Sequence, residues 1–174
     1  MNKGIVYWIS GLAGSGKTTI AKQFINYLEE KNIKPILIDG DNVRKIFKLD
    51  KDYSRKGRLK IARVYSHLSE MLSEQGFIVV VSVIAMFKEI QNYNRSKIKN
   101  YVEVFLDVPI KNLVERDQKN LYSKALKGEI KEVVGVDIKP DYPVKPDLRI
   151  LNYGKNSLEK SIGILIKHFE DNHL

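Results

Sequence analysis

Gly11-Leu12-Ala13-Gly14-Ser15-Gly16-Lys17-Thr18-Thr19 has the G-x-x-x-x-G-K-[ST] spacing of a phosphate-binding loop. Its glycines let the backbone turn tightly and bring N–H groups close to an anion, and the positive end of a following helix faces the same point. In such a loop Lys17 reaches the β- and γ-phosphates of a nucleotide, and the Thr18 hydroxyl joins the shell of a Mg²⁺ ion that bridges them. Context decides whether the pattern is a site. Before it, Ile5-Val6-Tyr7-Trp8-Ile9 is short, apolar and rich in strand formers, which predicts a buried strand. After it, Ile20, Ala21, Phe24, Ile25 and Leu28 recur at helical spacing. Strand, glycine loop and helix are the setting the motif requires.

Working outward, 174 residues make about one domain, and 43% hydrophobic with 29% charged residues is an ordinary globular composition. Without cysteine, disulfides and thiolate metal sites are excluded, so the expected metal is hard Mg²⁺. No apolar run reaches the roughly 20 residues of a membrane span or makes a signal-peptide core, so a cytoplasmic protein without membrane contact is expected. The formal charge of +9 raises a nucleic-acid reading, but its densest stretches, Arg44 to Arg63 and Lys111 to Lys131, are interrupted by acids and apolar residues. A cleft that handles two polyphosphate-bearing substrates accounts for the charge without a polynucleotide.

Further along, Ile36-Leu37-Ile38 predicts a second buried strand ending in Asp39-Gly40-Asp41-Asn42. Carboxylates at a strand's carboxyl end sit beside the phosphate loop in a doubly wound sheet. Asp50 to Gly57 is expected to be a loop, Arg58 to Gln75 an amphipathic helix, and Phe77 to Ile84 an interior parallel strand. A helix over Glu89 to Lys99, a strand over Val102 to Asp107 and an extended loop over Asp137 to Asp147 follow, then a strand over Leu148 to Leu151 and a helix from Asn156. Residues 111–136 are expected to be mostly helical, a lid able to close over phosphates. The alternation implies one α/β domain over 1–174, a parallel sheet with helices on both faces.

A GTPase would carry N-K-x-D, and none is present. Taken together, Asp39-Gly40-Asp41-Asn42-Val43-Arg44, Glu103-Val104-Phe105-Leu106-Asp107-Val108-Pro109, Glu115-Arg116-Asp117, Leu121-Tyr122, Lys124-Ala125, Gly128-Glu129-Ile130-Lys131 and Gly135-Val136-Asp137 resemble the adenylylsulfate (APS) kinases in order and spacing. The resemblance covers nearly the whole chain. It implies a P-loop kinase that moves the γ-phosphoryl of ATP to the 3′-hydroxyl of a nucleotide ribose, commonly as a homodimer. Gly11, Leu12, Ala13, Gly14, Ser15, Gly16, Lys17, Thr18 and Thr19 would hold ATP and, with Thr18 and Asp39, Mg²⁺. By the same resemblance Asp39 and Asp41 orient or deprotonate the hydroxyl, Arg116 and the stretch to Lys131 form the lid, and Arg44, Arg58 and Lys131 grip the acceptor nucleotide. Tyr53 matches one of two aromatics that clamp the acceptor base.

Departures from the family pattern gather on the acceptor side. Gly57 precedes Arg58 where the family has Asp-Arg, and Ile61 replaces an asparagine. Ile-Ser-Pro-Tyr-Arg reads Ile84-Ala85-Met86-Phe87-Lys88, and Gly-Phe-Thr-Gly, which carries the second aromatic, reads Glu132-Val133-Val134-Gly135. Losing one aromatic face forfeits about 1–3 kcal/mol of base stacking. The expected acceptor wall is therefore Asp39, Arg44, Tyr53, Arg58, Ile84, Ala85, Lys131 and Val133, rebuilt for a nucleotide other than APS. Within the family the chain is similar to the cytidine diphosphoramidate kinases of capsular phosphoramidate biosynthesis. A true APS kinase is the main alternative; an ATP-binding module without turnover and a polynucleotide end kinase are the others.

Overall fold

The computed structural model describes residues 4–48, 52–156 and 158–173. All six residues of β1 (Ile5–Ser10) are buried, as an apolar strand must be when layers cover both its faces. Its side chains alternate between two cores. Ile5, Tyr7 and Ile9 pack with Phe24, Leu28, Leu165 and Phe169 on one face, while Val6 and Trp8 pack with Ile61, Tyr65, Phe87 and Ile90 on the other. The first core is roofed by α1 (Lys17–Glu30) and α7 (Leu158–His173). The second lies under α3 (Arg55–Glu74) and α4 (Lys88–Lys97).

β1 is the middle strand of a parallel sheet in the order β2-β3-β1-β4-β5, with β2 (Ile36–Asp39), β3 (Ile78–Val83), β4 (Tyr101–Asp107) and β5 (Leu148–Leu151). Its register is Tyr7 against Val80 on one side and against Val102 on the other. All five carboxyl ends therefore share one edge. The neighbours of β1 lead the chain in opposite directions, which opens a crevice at that edge.

The parallel α/β sheet with helices on both faces is as expected, and Trp8 is core. Some boundaries differ. Of the loop expected over Asp50 to Gly57, positions 50 and 51 lie outside the described residues, and α3 already begins at Arg55. Ser54 caps it, its hydroxyl accepting from the Gly57 N–H at 3.1 Å. The final helix is described from Leu158, and position 157, which separates it from the expected start at Asn156, lies outside the described residues. The helix expected over 111–136 ends early. It comprises α5 (Ile110–Arg116), a 3₁₀ turn (Gln118–Asn120) and α6 (Leu121–Leu126), and residues 127–136 are irregular apart from an isolated bridge between Val134 and Ile138. Left-handed backbone at Asp117, Lys119, Asn120, Gly128, Glu132 and Gly135 interrupts it. The segment nevertheless has its own small core, in which Tyr122, Val133 and Val134 pack with Leu12, Phe105 and Leu113. Among the described residues no helix is long and apolar enough to cross a membrane.

Candidate active site

The loop between β1 and α1 turns its carbonyls outward onto protein donors. Lys17 Nζ donates to the Leu12 carbonyl at 2.7 Å, the Tyr122 hydroxyl to Ala13 at 2.9 Å, Arg116 Nη1 to Gly14 at 3.2 Å and Asn152 Nδ2 to Ser15 at 2.8 Å. Four consecutive carbonyls are held this way, and the Ser15 N–H closes the turn onto the Leu12 carbonyl at 3.2 Å. Gly16 is the N-cap of α1 and no side chain caps it, so the first N–H groups of the helix are free of an intrahelical partner and available to an anion. The glycines are required. Gly16 has φ 95°, and a Cβ there would stand 2.5 Å from Asn152 Nδ2; one at Gly11 would stand 2.9 Å from the Leu106 carbonyl.

Lys17 is buried, and burial pulls its ammonium down to about 8, against the pull of the nearby Asp41 and Asp39 carboxylates. A phosphate in the loop would restore the lost stabilisation of its charge. Beside it, Thr18 Oγ1 lies 3.4 Å from Asp39 Oδ2 and 3.3 Å from Ser82 Oγ. Asp39 ends β2 and caps α2 (Gly40–Ile46): its Oδ1 accepts from the N–H groups of Asp41 at 3.1 Å and Asn42 at 3.3 Å. That cap fixes one carboxylate oxygen and leaves Oδ2 turned to Thr18. Asp41 stands in the first turn of α2 and lines the same cavity.

A cavity of about 980 Å³ runs from this point under the lid. At one end lie Ala13, Gly14, Lys17, Thr18, Thr19, Asp39 and Asp41; at the other lie Arg44, Tyr53, Arg58, Ile84, Lys131 and Val133. The predicted ATP and acceptor residues thus meet in one space. Gly11, Leu12, Ser15 and Gly16 shape the loop from outside the cavity lining. Two assignments change. Ala85 is 1% exposed in the core against α3 and α4, so the strand end turns it away from the cavity. Arg116 lies outside the cavity lining; its guanidinium is engaged by the carbonyls of Gly14 and, at 2.6 Å, Asn152, so it braces the loop.

At the acceptor end, the guanidinium carbons of Arg44 and Arg58 lie 4.8 and 5.2 Å from the centroid of the Tyr53 ring, within cation–π range. Arg58 also donates to the carbonyls of Tyr53 at 2.8 Å and Glu132 at 2.7 Å, and Arg44 donates to Asp52 at 3.0 Å. These arginines build the wall as well as charging it. Gly57 has a steric reason: a Cβ there would meet the Asp52 carboxyl carbon at 2.2 Å, and that carboxylate holds the Ser54 hydroxyl at 2.7 Å. Val133 touches the cavity but is 5% exposed, its side chain committed to the lid core.

Sequence reasoning gave no site role to Ser82, Asn152 or Tyr65, and quoted Tyr122 and Asp137 only within family motifs. Ser82 carried a signal, as the one polar residue in the run from Phe77 to Ile84. Asn152 and Tyr122 act on loop carbonyls far away in sequence. Tyr65, whose hydroxyl burial pushes up to about 12, donates to the Gly40 carbonyl at 2.9 Å. The Asp137 carboxylate accepts from the N–H groups of Glu132 and Val133 and so shapes the turn that carries them.

Comparison with known proteins finds similar kinases over nearly the whole chain. The chain is 43% identical to the cytidine diphosphoramidate kinase of Campylobacter jejuni over 166 residues, 95% of this chain and 96% of the relative. It is 34% identical to the adenylyl-sulfate kinase of Clostridium acetobutylicum over 173 residues, 99% of this chain and 86% of that one. The structure of the Mycobacterium tuberculosis APS kinase in complex with AMPPNP and APS superposes with a TM-score of 0.89 at 32% identity, covering 98% of this chain and 99% of that one. The family model of adenylylsulphate kinase matches residues 3–151, and the chain belongs to that family.

Proposed function

We propose that this enzyme transfers the γ-phosphoryl group of ATP to the 3′-hydroxyl of a nucleotide ribose, with cytidine 5′-diphosphoramidate as acceptor. The observation that carries the reading is the cavity itself, which joins an intact phosphate loop to an acceptor wall that departs from the APS kinase pattern. The 43% identity to a cytidine diphosphoramidate kinase supports the same acceptor.

Lys17, whose ammonium a bound phosphate stabilises, balances the charge that develops on the transferring group. Asp39 Oδ2, fixed by the cap that Oδ1 makes, receives and orients the 3′-hydroxyl; a carboxylate is a weak base for an alcohol, so its larger contribution is position. Thr18 Oγ1 lies within 3.4 Å of both Asp39 Oδ2 and Ser82 Oγ, a set of hard oxygen donors that fits Mg²⁺. Among the described residues no group of three or more His, Asp or Glu could hold a metal alone, so Thr18 and Asp39 would hold Mg²⁺ together with ATP oxygens. Bound there, it neutralises charge on the β- and γ-phosphates. Arg44 and Lys131 face the acceptor's 5′ phosphates, and Tyr53 its base. A homodimer follows from family habit, and sedimentation tests it.

The test is ADP release from ATP and Mg²⁺ with APS and with cytidine 5′-diphosphoramidate side by side. Turnover mainly with the cytidine compound is expected. Turnover mainly with APS overturns the acceptor and leaves an APS kinase.

A further inference from the structure

Three carboxylates line the cavity: Asp39 and Asp41 at the phosphate end, and Glu132 at the acceptor end. The other charged side chains of that lining are basic, as two phosphate-bearing substrates require. A third carboxylate opposes such substrates unless it meets a hydrogen-bond donor. Glu132 also has φ 65°, a left-handed conformation that strains glutamate and leaves glycine unstrained. Its backbone is pinned on both sides: the N–H donates to the Asp137 carboxylate, and the carbonyl accepts from Arg58 at 2.7 Å. Strain held in place by its surroundings points to a task for the side chain. The same Arg58 donates to the Tyr53 carbonyl and lies 5.2 Å from the ring centroid, so one guanidinium joins the aromatic platform to Glu132.

The geometry points to Glu132 as the residue that reads the acceptor base, its carboxylate accepting a hydrogen bond from the exocyclic amino group of a cytosine lying against Tyr53. A carboxylate accepts from the cytosine 4-amino group, whereas uracil presents only an acceptor oxygen at that position. The assignment rests on the kinase reading above and adds the group that selects the base.

The test compares kcat/KM for cytidine 5′-diphosphoramidate and uridine 5′-diphosphoramidate, with cytidine 5′-diphosphate as a third acceptor. It uses the wild-type enzyme, Glu132→Gln and Glu132→Gly. The wild type is expected to prefer cytidine over uridine by about tenfold or more. Glu132→Gln, whose amide can donate as well as accept, brings the preference to within about threefold. Glu132→Gly, unstrained at this φ, does the same and separates lost recognition from lost folding. Equal wild-type rates with the two bases overturn the assignment, and so does a base preference unchanged in both variants. An effect confined to diphosphoramidate against diphosphate overturns it too, because Glu132 then meets the acceptor's tail. Wild-type turnover with APS alone is a different failure, of the acceptor reading on which this one stands.

Discussion

Arg58 Nη2 lies 2.7 Å from the carbonyl oxygen of Glu132, 74 residues further along the chain. The bond fastens the first turns of α3 to the irregular part of the lid, while Nε of the same guanidinium holds the Tyr53 carbonyl at 2.8 Å. Arg58 is 8% exposed, so neither carbonyl has ready access to water in its place.

An ammonium cannot reproduce that fork. Arg58→Lys is expected to raise the acceptor KM about tenfold, the equivalent of roughly 1.4 kcal/mol, with the KM for ATP little changed. Steady-state kinetics with each substrate varied in turn will show it, and a change confined to ATP would contradict the wall assignment.

Gly57→Ala should act on the same wall from below. The new Cβ displaces the Asp52 carboxylate, which holds Ser54 and precedes Tyr53. The expected result is a raised acceptor KM despite the roughly 1 kcal/mol that alanine offers a helix over glycine. A variant that is more stable and kinetically unaltered would show that Asp52 does not position Tyr53.

Lys17 gives a pH-dependent prediction. Its folded value, about 8, lies below the unfolded value of 10.5, so between them the unfolded chain binds more protons. The cost of burying its charge is therefore full below about pH 8 and fades as pH rises towards 10.5. The shift is worth about 3 kcal/mol and the lost bond to Leu12 about 1, so Lys17→Met should stabilise the ligand-free protein by about 2 kcal/mol at pH 7. The gain should shrink at pH 10, and turnover should be abolished. Phosphate bound at Lys17 raises its pKa again, so calorimetry in buffers of different ionisation enthalpy should detect uptake of about half a proton per ATP at pH 8 and about a tenth at pH 7. No uptake at pH 8 would place Lys17 elsewhere in solution.

Asp39→Asn keeps a side chain that caps α2 well, so the fold should be retained. Without the carboxylate, kcat should fall about 10²-fold or more, with a higher Mg²⁺ requirement. Thermal melting beside the kinetics separates the two effects. A variant with unchanged kcat would remove Asp39 from the reaction.

Val133→Phe tests whether a ring restores adenine stacking. Val133 is packed against Leu12, Tyr122 and Phe105 rather than projecting into the cavity. A larger side chain should overpack the lid core by about 1–3 kcal/mol and give no gain with APS. Improved APS turnover would mean that the lid readily repacks to present the ring.

The order of strand, glycine loop and helix, the parallel sheet and the residues Lys17, Thr18 and Asp39 were legible in the sequence, because each depends on contacts within one turn or one strand end. Tyr53, Arg58 and Lys131 were legible only through the family pattern. Tertiary structure alone decided the rest. Tyr122, Arg116 and Asn152 reach the loop carbonyls from 102 to 137 residues away, and no spacing rule spans that distance. The lid helix stops at Leu126 because left-handed residues outweigh its local propensity, and Ala85 is core because the chain turns after β3. Local periodicity fixes which faces are apolar; only packing fixes which distant donor meets which carbonyl, and that set the orientation of the loop and of Glu132.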